Sequence, residues 1–244
     1  MSLGFVHACE QNHLNLSVSG GGRVVPLRAG KVVTCPPDPL WIYNYAFGVR
    51  REFDVEGAGA AFREAGRDYV HVAASPSSRA SLPQELARLG FRLLETQAYR
   101  RAEGTGAGAP GLVALGPDGV AGFLETWAAA WGGGPGPAAR AGAVRRRLAD
   151  PRSRGFASAD GAGVFLLFES GPTTQLVHLA VAPAAQGRGL GRRLLALAPG
   201  LVARGRPLWL FTAQGGAADR AAAAAGWALD HTADDWLLDL PDPD

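Results

Sequence analysis

The stretch that decides the fold runs Leu179-Ala180-Val181-Ala182-Pro183-Ala184-Ala185-Gln186-Gly187-Arg188-Gly189-Leu190-Gly191-Arg192-Arg193-Leu194. An apolar strand ends in Val-Ala-Pro, a glycine-punctuated loop follows, and a helix opens at Leu190. Glycine lets a backbone turn through positive φ and approach a ligand closely, and the first N–H groups of a helix have no partner inside it. Those free donors, at the positive end of the helix dipole, form an anion site suited to a pyrophosphate. Arg188, Arg192 and Arg193 add charge beside it.

Three phosphate-binding patterns compete for this segment. A dinucleotide fingerprint needs glycine at 187, 189 and 192, and position 192 is arginine. A P-loop needs Gly-Lys-Ser/Thr, and the only lysine, Lys31, is followed by valine. The third pattern, Gln/Arg-x-x-Gly-x-Gly/Ala after a strand ending in Val-x-Pro, fits Gln186 to Gly191 without adjustment. There the sequence resembles the GNAT acetyltransferases, whose loop wraps the pyrophosphate of acetyl-CoA.

Outward from the loop, the apolar positions read as elements. Val120, Phe123, Leu124, Trp127 and Trp131 recur at helical spacing, and Ala138 to Ala149 forms a second helix. Strands are expected at Gly155–Ala159 and Val164–Glu169, joined by the turn Asp160-Gly161-Ala162-Gly163, and at Gln175–Val181. After the motif helix, interrupted by Pro199-Gly200, come a strand at Leu208–Thr212, a helix at Ala217–Ala225 and a final strand near Trp236. Gly226-Trp227 resembles the Gly-Phe that usually ends the family's last helix. The order is α/β with a mixed sheet, and the resemblance covers about 130 residues, which implies a GNAT acyl-CoA N-acyltransferase fold.

The first half is expected to hold strand and turn at Arg23–Val33, an aromatic segment from Trp41 to Val49, a helix at Glu56–Gly66, a strand at Tyr69–Ala73, a helix after Ser81 and a strand at Phe91–Arg100. Leu86 to Phe91 after that strand resembles the strand–helix–Gly–Phe unit of Leu208 to Trp227, without the glycine loop. Residues 1–103 are therefore either a degenerate GNAT-like copy, making a tandem pair, or an unrelated α/β cap. The Gly/Ala/Pro stretch 104–111 is too small-sided to bury a face and reads as a linker to the domain 112–244.

The resemblance implies acetyl-CoA as co-substrate and a primary amine of a small molecule or peptide as acceptor. The cofactor-binding residues it implies are Leu179, Ala180 and Val181, whose strand N–H groups would meet the pantetheine arm and the oxyanion, and Gln186, Gly187, Arg188, Gly189, Leu190, Gly191 and Arg192. At the proton-transfer positions this chain departs from the family. Ala222 stands where many members carry a tyrosine, Asp219 and Arg220 stand near the place of a missing asparagine, and Gln175 stands where a glutamate base is frequent. His178 is the nearest titratable group and the catalytic candidate, although alternation would turn it away from Gln175, Val177 and Leu179. His231, Asp234 and Asp235 are further candidates, and Asn44, Ser75 and Ser77 are placed to line a cleft between the halves. The alternative function is a non-catalytic acyl-CoA-binding GNAT-like module.

Composition bounds the rest. A chain of 244 residues with 47% hydrophobic and 19% charged residues is globular, and a net charge of +2 gives no footprint for nucleic acid or a membrane surface. Arg145-Arg146-Arg147 is expected on a solvated helix face. Cys9 and Cys35 lie in no CxxC or Cys/His cluster, so no metal site and a reducing, cytoplasmic setting are expected. The start, MSLGFVHACEQNHL, has no basic stretch ahead of a long apolar run, so no secretory leader is expected.

Overall fold

A computed structural model describes residues 2–132 and 135–241. Seven α-helices and eleven strands are described, and all the strands hydrogen-bond into one sheet of order β1-β2-β3-β4-β11-β5-β10-β9-β8-β7-β6. In chain order they are α1 (Leu3–Ser19), β1 (Arg23–Leu27), β2 (Gly30–Thr34), β3 (Tyr45–Phe47), α2 (Val55–Glu64), β4 (Tyr69–Ala74), α3 (Leu82–Arg88), β5 (Arg92–Glu103), β6 (Leu112–Ala114), α4 (Val120–Ala130), α5 (Pro135–Ala149), β7 (Ser153–Ser158), β8 (Gly163–Ser170), β9 (Thr173–Val181), α6 (Leu190–Leu197), β10 (Pro207–Ala213), α7 (Ala217–Ala224) and β11 (Ala228–Asp239).

The sheet repeats one plan twice. β1, β2 and β3 run antiparallel, and β4 then joins β3 in parallel after the crossover helix α2. β7, β8 and β9 run antiparallel, and β10 joins β9 in parallel after the crossover helix α6. Each half then receives a strand from the other: β5 of the first half lies against β10, and β11 of the second lies against β4. β5 and β11 pair with each other at the centre, from Ala228↔Arg101 to Leu237↔Arg92. The halves are thus knitted by main-chain hydrogen bonds.

Helix α6 shows how the motif region folds. Leu190, Leu194 and Leu195 fall on one face and are buried with Phe165, Leu167, Leu208 and Trp227. Each such leucine contributes about 2 kcal/mol of burial, and trimming Leu194 to alanine would cost about 2–5 kcal/mol. The helix ends at Leu197 and tightens into a 3₁₀ turn at Ala198–Leu201, because Pro199 cannot continue the ladder. Stretch 104–108 is strapped onto this connection: the Gly104, Thr105, Gly106 and Gly108 amides donate to carbonyls of Arg206, Pro199, Val202 and Gly200. A Cβ on Gly200 would meet the Gly108 carbonyl at 2.0 Å, so the strap demands glycine there.

Two elements were not foreseen from the sequence: short β6 and the 17-residue helix α1. Helix α1 is buried over β8 and β9 of the other half, where the Asn12 side-chain amide donates to the Thr173 carbonyl (3.1 Å) and hydroxyl (3.0 Å), and Asn15 donates to the Ser170 hydroxyl. The expected solvated face of Arg145–Arg147 holds only in part. Arg145 and Arg146 are exposed, but Arg147 is fully buried, because α5 lies across the first half and finds a carboxylate there. Among the described residues no helix is long and apolar enough to cross a membrane.

Candidate active site

β9 and β10 are parallel neighbours for only two register pairs, Leu208↔Thr174 and Trp209↔Gln175. Beyond them β9 pairs only with β8, and β10 only with β5, so the facing edges part. A register shift in β8·β9 between Val164 and Leu166 marks a bulge, and His178 takes φ 54° there. The bulge breaks strand alternation. His178 therefore shares a face with Gln175 and Val177, its ring 5.9 Å from Trp127 and 6.1 Å from Tyr43, whereas Leu179 packs on the opposite face with the α6 core. The expectation that His178 points away from Gln175 and Val177 is corrected accordingly.

At the end of β9 the loop is exposed from Gln186 to Gly189. Gly187 and Gly189 sit at φ 73° and 77°, a backbone region that L side chains avoid, and Gly189 serves as the N-cap of α6 without a side-chain cap. The Gln186 amide nitrogen donates to the Val181 carbonyl (3.0 Å), closing the loop onto the strand. Ala185 and Gln186 spend their N–H groups on a 3₁₀ turn, and the next engaged donor is Arg193, onto the Gly189 carbonyl. Between them, among the described residues, the N–H groups of Gly187 to Arg192 have no main-chain acceptor. Arg188, Arg192 and Arg193 are exposed around this row.

A cavity of about 450 Å³ occupies the gap between the parted strands. On the α6/α7 face it is bounded by Leu176, Leu179, Leu195, Leu210 and Ala218; on the other face by Trp41, Tyr43, Trp131, Phe211, Glu95 and Gln97. Glu95 and His13 also line the cavity. Both come from the first half, on β5 and α1, and no local pattern marks them.

His13 is held in one tautomer. Its Nε2 lies 2.7 Å from the Ile42 carbonyl, which only accepts, so Nε2 carries the proton. Nδ1 must then accept, and the Gln175 side-chain nitrogen donates to it over 3.1 Å. Burial pushes the His13 pKa down to about 4, fixing the neutral ring. The Gln175 oxygen is left buried with no partner.

A second buried cluster braces the site from below. Asp38 accepts from Arg140 Nε (3.1 Å) and Arg147 Nη1 (2.7 Å), with both the Asp38 and Arg147 side chains fully buried. Arg147 stacks 3.6 Å over the Tyr43 ring, and Arg140 lies over Trp127 and Trp131. Burial, then the charges of Arg147 and Arg140, hold the His178 imidazole well below its usual range, so it is neutral at pH 7 and a weak base.

The remaining candidates lie elsewhere. His231 stacks on Tyr99 and bonds Asp230, Asp234 accepts from Thr96, and Asp235 pairs with His71 at 2.9 Å in the core. Asn44 braces the turn at residues 35–44 through the Cys35 amide and the Asp38 and Leu40 carbonyls, while Ser75 and Ser77 both donate to Glu10. Ala222 is fully buried in the α6/α7 core and brings no hydroxyl to the cavity.

Parted parallel strands, a bulge, and a loop of free amides at a helix start define the acyl-CoA N-acyltransferase architecture. The sequence profile of the acetyltransferase (GNAT) family matches residues 137–214, from α5 through β10, and this part of the chain is a GNAT domain. No curated protein matches the chain. Among solved structures, it is similar to a conserved protein of unknown function from Staphylococcus epidermidis ATCC 12228 (TM-score 0.67, 13% identity, covering 90% of this chain and 95% of that one). It is also similar to a GCN5-related N-acetyltransferase from Kribbella flavida (TM-score 0.64, 16% identity, 94% of each chain). A tandem GNAT protein from the clavulanic acid biosynthesis pathway aligns with TM-score 0.55 and 15% identity, over 94% of this chain and 89% of that one. At these identities the likeness is one of fold.

Proposed function

We propose that this protein transfers the acetyl group of acetyl-CoA to a primary amine of a small molecule or peptide, as a cytoplasmic enzyme. The observation that carries this is the row of unengaged N–H groups from Gly187 to Arg192, set where a helix begins and one strand away from an open cavity. These donors, with Arg188 and Arg192, would hold the paired phosphates, and no side chain crowds Gly187 or Gly189 to block them. The unpaired edge of β9 from Leu179 to Val181 would bond the pantetheine amides and offer an N–H to the developing oxyanion. The bound thioester supplies an activated acetyl carbon; the chain's own groups orient the amine and exclude water.

Overall, R–NH₃⁺ and acetyl-CoA would give the acetamide, CoA thiol and one proton. The division into units 1–103 and 112–244 around stretch 104–111 belongs to the same proposal. Its support is the twice-used strand plan, with the first unit a GNAT-like copy that keeps no glycine loop. A second reading, a module that binds acyl-CoA without turnover, is favoured by Ala222 and by the amide at Gln175, which leave two proton-transfer positions without ionisable groups.

The test is thermal denaturation with acetyl-CoA together with thiol release. At a hundredfold excess over Kd, acetyl-CoA should add about 2.7 kcal/mol of stability. Gly189→Glu places a carboxylate among the donors and should abolish that gain, while Gly189→Asn, which tolerates positive φ, should keep much of it. Equal stabilisation of Gly189→Glu and wild type would overturn the phosphate assignment. Stabilisation with no thiol release across a broad amine panel would select the binding module.

A further inference from the structure

The first half holds a second recess, of about 470 Å³, between the start of α1, the β1–β2 turn and the end of β3. Strand alternation puts Lys31 on the side of Val33, which packs with Leu14 of α1, and the sheet register sets Lys31 opposite Phe47. The Arg50 amide donates to the Ala29 carbonyl (3.3 Å), which holds the loop after β3 against the turn that carries Arg28. Turn, strand and loop therefore bring Arg28, Lys31, Arg50 and Arg51 to one opening, all four exposed. Among the described residues none of the four meets a carboxylate, and the one side-chain bond that any of them makes is from Arg50 to His7 Nε2 at 3.0 Å. A single carboxylate lines the recess, that of Glu10, and one of its oxygens already accepts from Ser75 and Ser77. Four cations thus face one committed carboxylate in a chain whose formal net charge is only +2. Charge of one sign gathered in a concave site focuses the field there. The backbone is bare at the same place: Gly48 takes φ 64°, and no atom lies within 4 Å of where its Cβ would stand.

We propose that this recess binds a compact polyphosphate, two or three linked phosphate groups, free or at the end of a small nucleotide. Guanidinium forks hold phosphate oxygens in pairs, and the Lys31 ammonium adds a point charge. A di- or triphosphate packs enough negative charge into one recess to answer four cations, which a single phosphate or a dicarboxylate does not. The volume lies in the range of small-ligand sites. An extended nucleic acid calls for a longer stripe of cations than one recess supplies. The site is separate from the glycine loop. It lies in the first half and uses side-chain cations from the β1–β2 turn, β2 and the loop after β3, whereas the loop from Gly187 to Arg192 offers main-chain N–H groups after β9. The inference therefore stands apart from the acetyl-transfer reading and holds whether or not the chain turns acetyl-CoA over.

The experiment is titration calorimetry on the full chain with pyrophosphate, tripolyphosphate and ATP, against inorganic phosphate, citrate and a single-stranded oligonucleotide. Each ligand is run on wild type and on Gly189→Glu, which blocks the glycine loop as a competing phosphate site. The polyphosphates should bind one to one and equally well in both proteins, at least about tenfold tighter than phosphate or citrate. Arg50→Ala combined with Arg51→Ala should weaken them about tenfold or more, and Lys31→Ala by less. These side chains are exposed, so melting temperatures of the free variants should stay close to that of wild type. Arg145→Ala combined with Arg204→Ala, at exposed cations remote from the recess, should change nothing. Raising salt from about 0.1 M to 1 M shortens the screening length from about 10 Å to 3 Å and should weaken binding strongly. ATP binding no tighter than tripolyphosphate assigns the site to the phosphates alone, and tighter ATP binding assigns it to a nucleotide; either outcome supports the inference. Polyphosphate binding that is lost in Gly189→Glu and kept in the Arg50/Arg51 variant belongs to the glycine loop and overturns it. So do equal losses in the recess and remote variants, tighter binding of the oligonucleotide than of tripolyphosphate, or no polyphosphate binding at all.

Discussion

At the scale of single residues, one buried carboxylate joins more of the molecule than any motif residue. Asp38 meets Arg140 and Arg147 from α5, and its neighbours Trp41 and Tyr43 wall the cavity. Removing one partner of a buried ion pair leaves an uncompensated charge, and here two guanidinium groups would be left. Asp38→Ala should therefore cost about 3–5 kcal/mol in urea unfolding, and more than Arg147→Met, which removes a charge and keeps apolar volume. Equal losses for the two would count against charge desolvation as the cause. None of this was legible in the sequence. Arg147 reads as part of a solvated triplet, and its partner lies 109 positions away. The glycine loop was legible because its chemistry is local: strand, turn and helix start are adjacent in the chain. The bond from His13 to Gln175 spans 162 positions, and no spacing rule reaches that far.

At the scale of elements, the bulge in β9 decides what His178 can do. A strict strand would have turned it to the α6 side; the positive φ brings it beneath Tyr43 and Trp127. Asparagine tolerates that backbone region and valine does not, so His178→Asn should keep stability within about 1 kcal/mol while His178→Val costs clearly more. Acetyl transfer separates two roles. With the imidazole held neutral by burial and by Arg147, loss of the ring in His178→Asn should lower kcat only a few-fold. A drop beyond a hundredfold would make His178 the proton acceptor of the transfer. The elements of the second half were mostly predictable, since amphipathic spacing and turn residues specify them locally. Helix α1 was not, because its buried face includes Asn12, His13 and Ser17, polar residues that only their distant partners make buriable.

At the scale of the whole molecule, two consequences follow from how the halves are joined. Burial depresses the imidazole pKa of both His13 and His178. An imidazole whose folded pKa lies below its unfolded value binds protons more readily in the unfolded chain, so stability is present above about pH 6.5 and is lost as pH falls toward the folded pKa. For His13, at about 4, acidification from pH 7 to 5 should remove roughly 2 kcal/mol, with His178 adding to it in the same direction. Urea midpoints across that interval measure this, and a flat profile would mean that both rings are protonated in place.

The strand exchange is the stronger constraint on folding. Without β5, the strands β10 and β11 would each lose their shared partner and present bare edges. Without β11, β4 would do the same. Residues 112–244 alone should therefore aggregate or remain unfolded, although they contain the entire glycine loop, and so should residues 1–111 alone. Expressed together, the two pieces should associate and recover both a single unfolding transition and acetyl-CoA stabilisation. An independently folded, acetyl-CoA-stabilised 112–244 fragment would show that the exchanged pairing is dispensable. The first half would then be a separable cap and not half of one sheet.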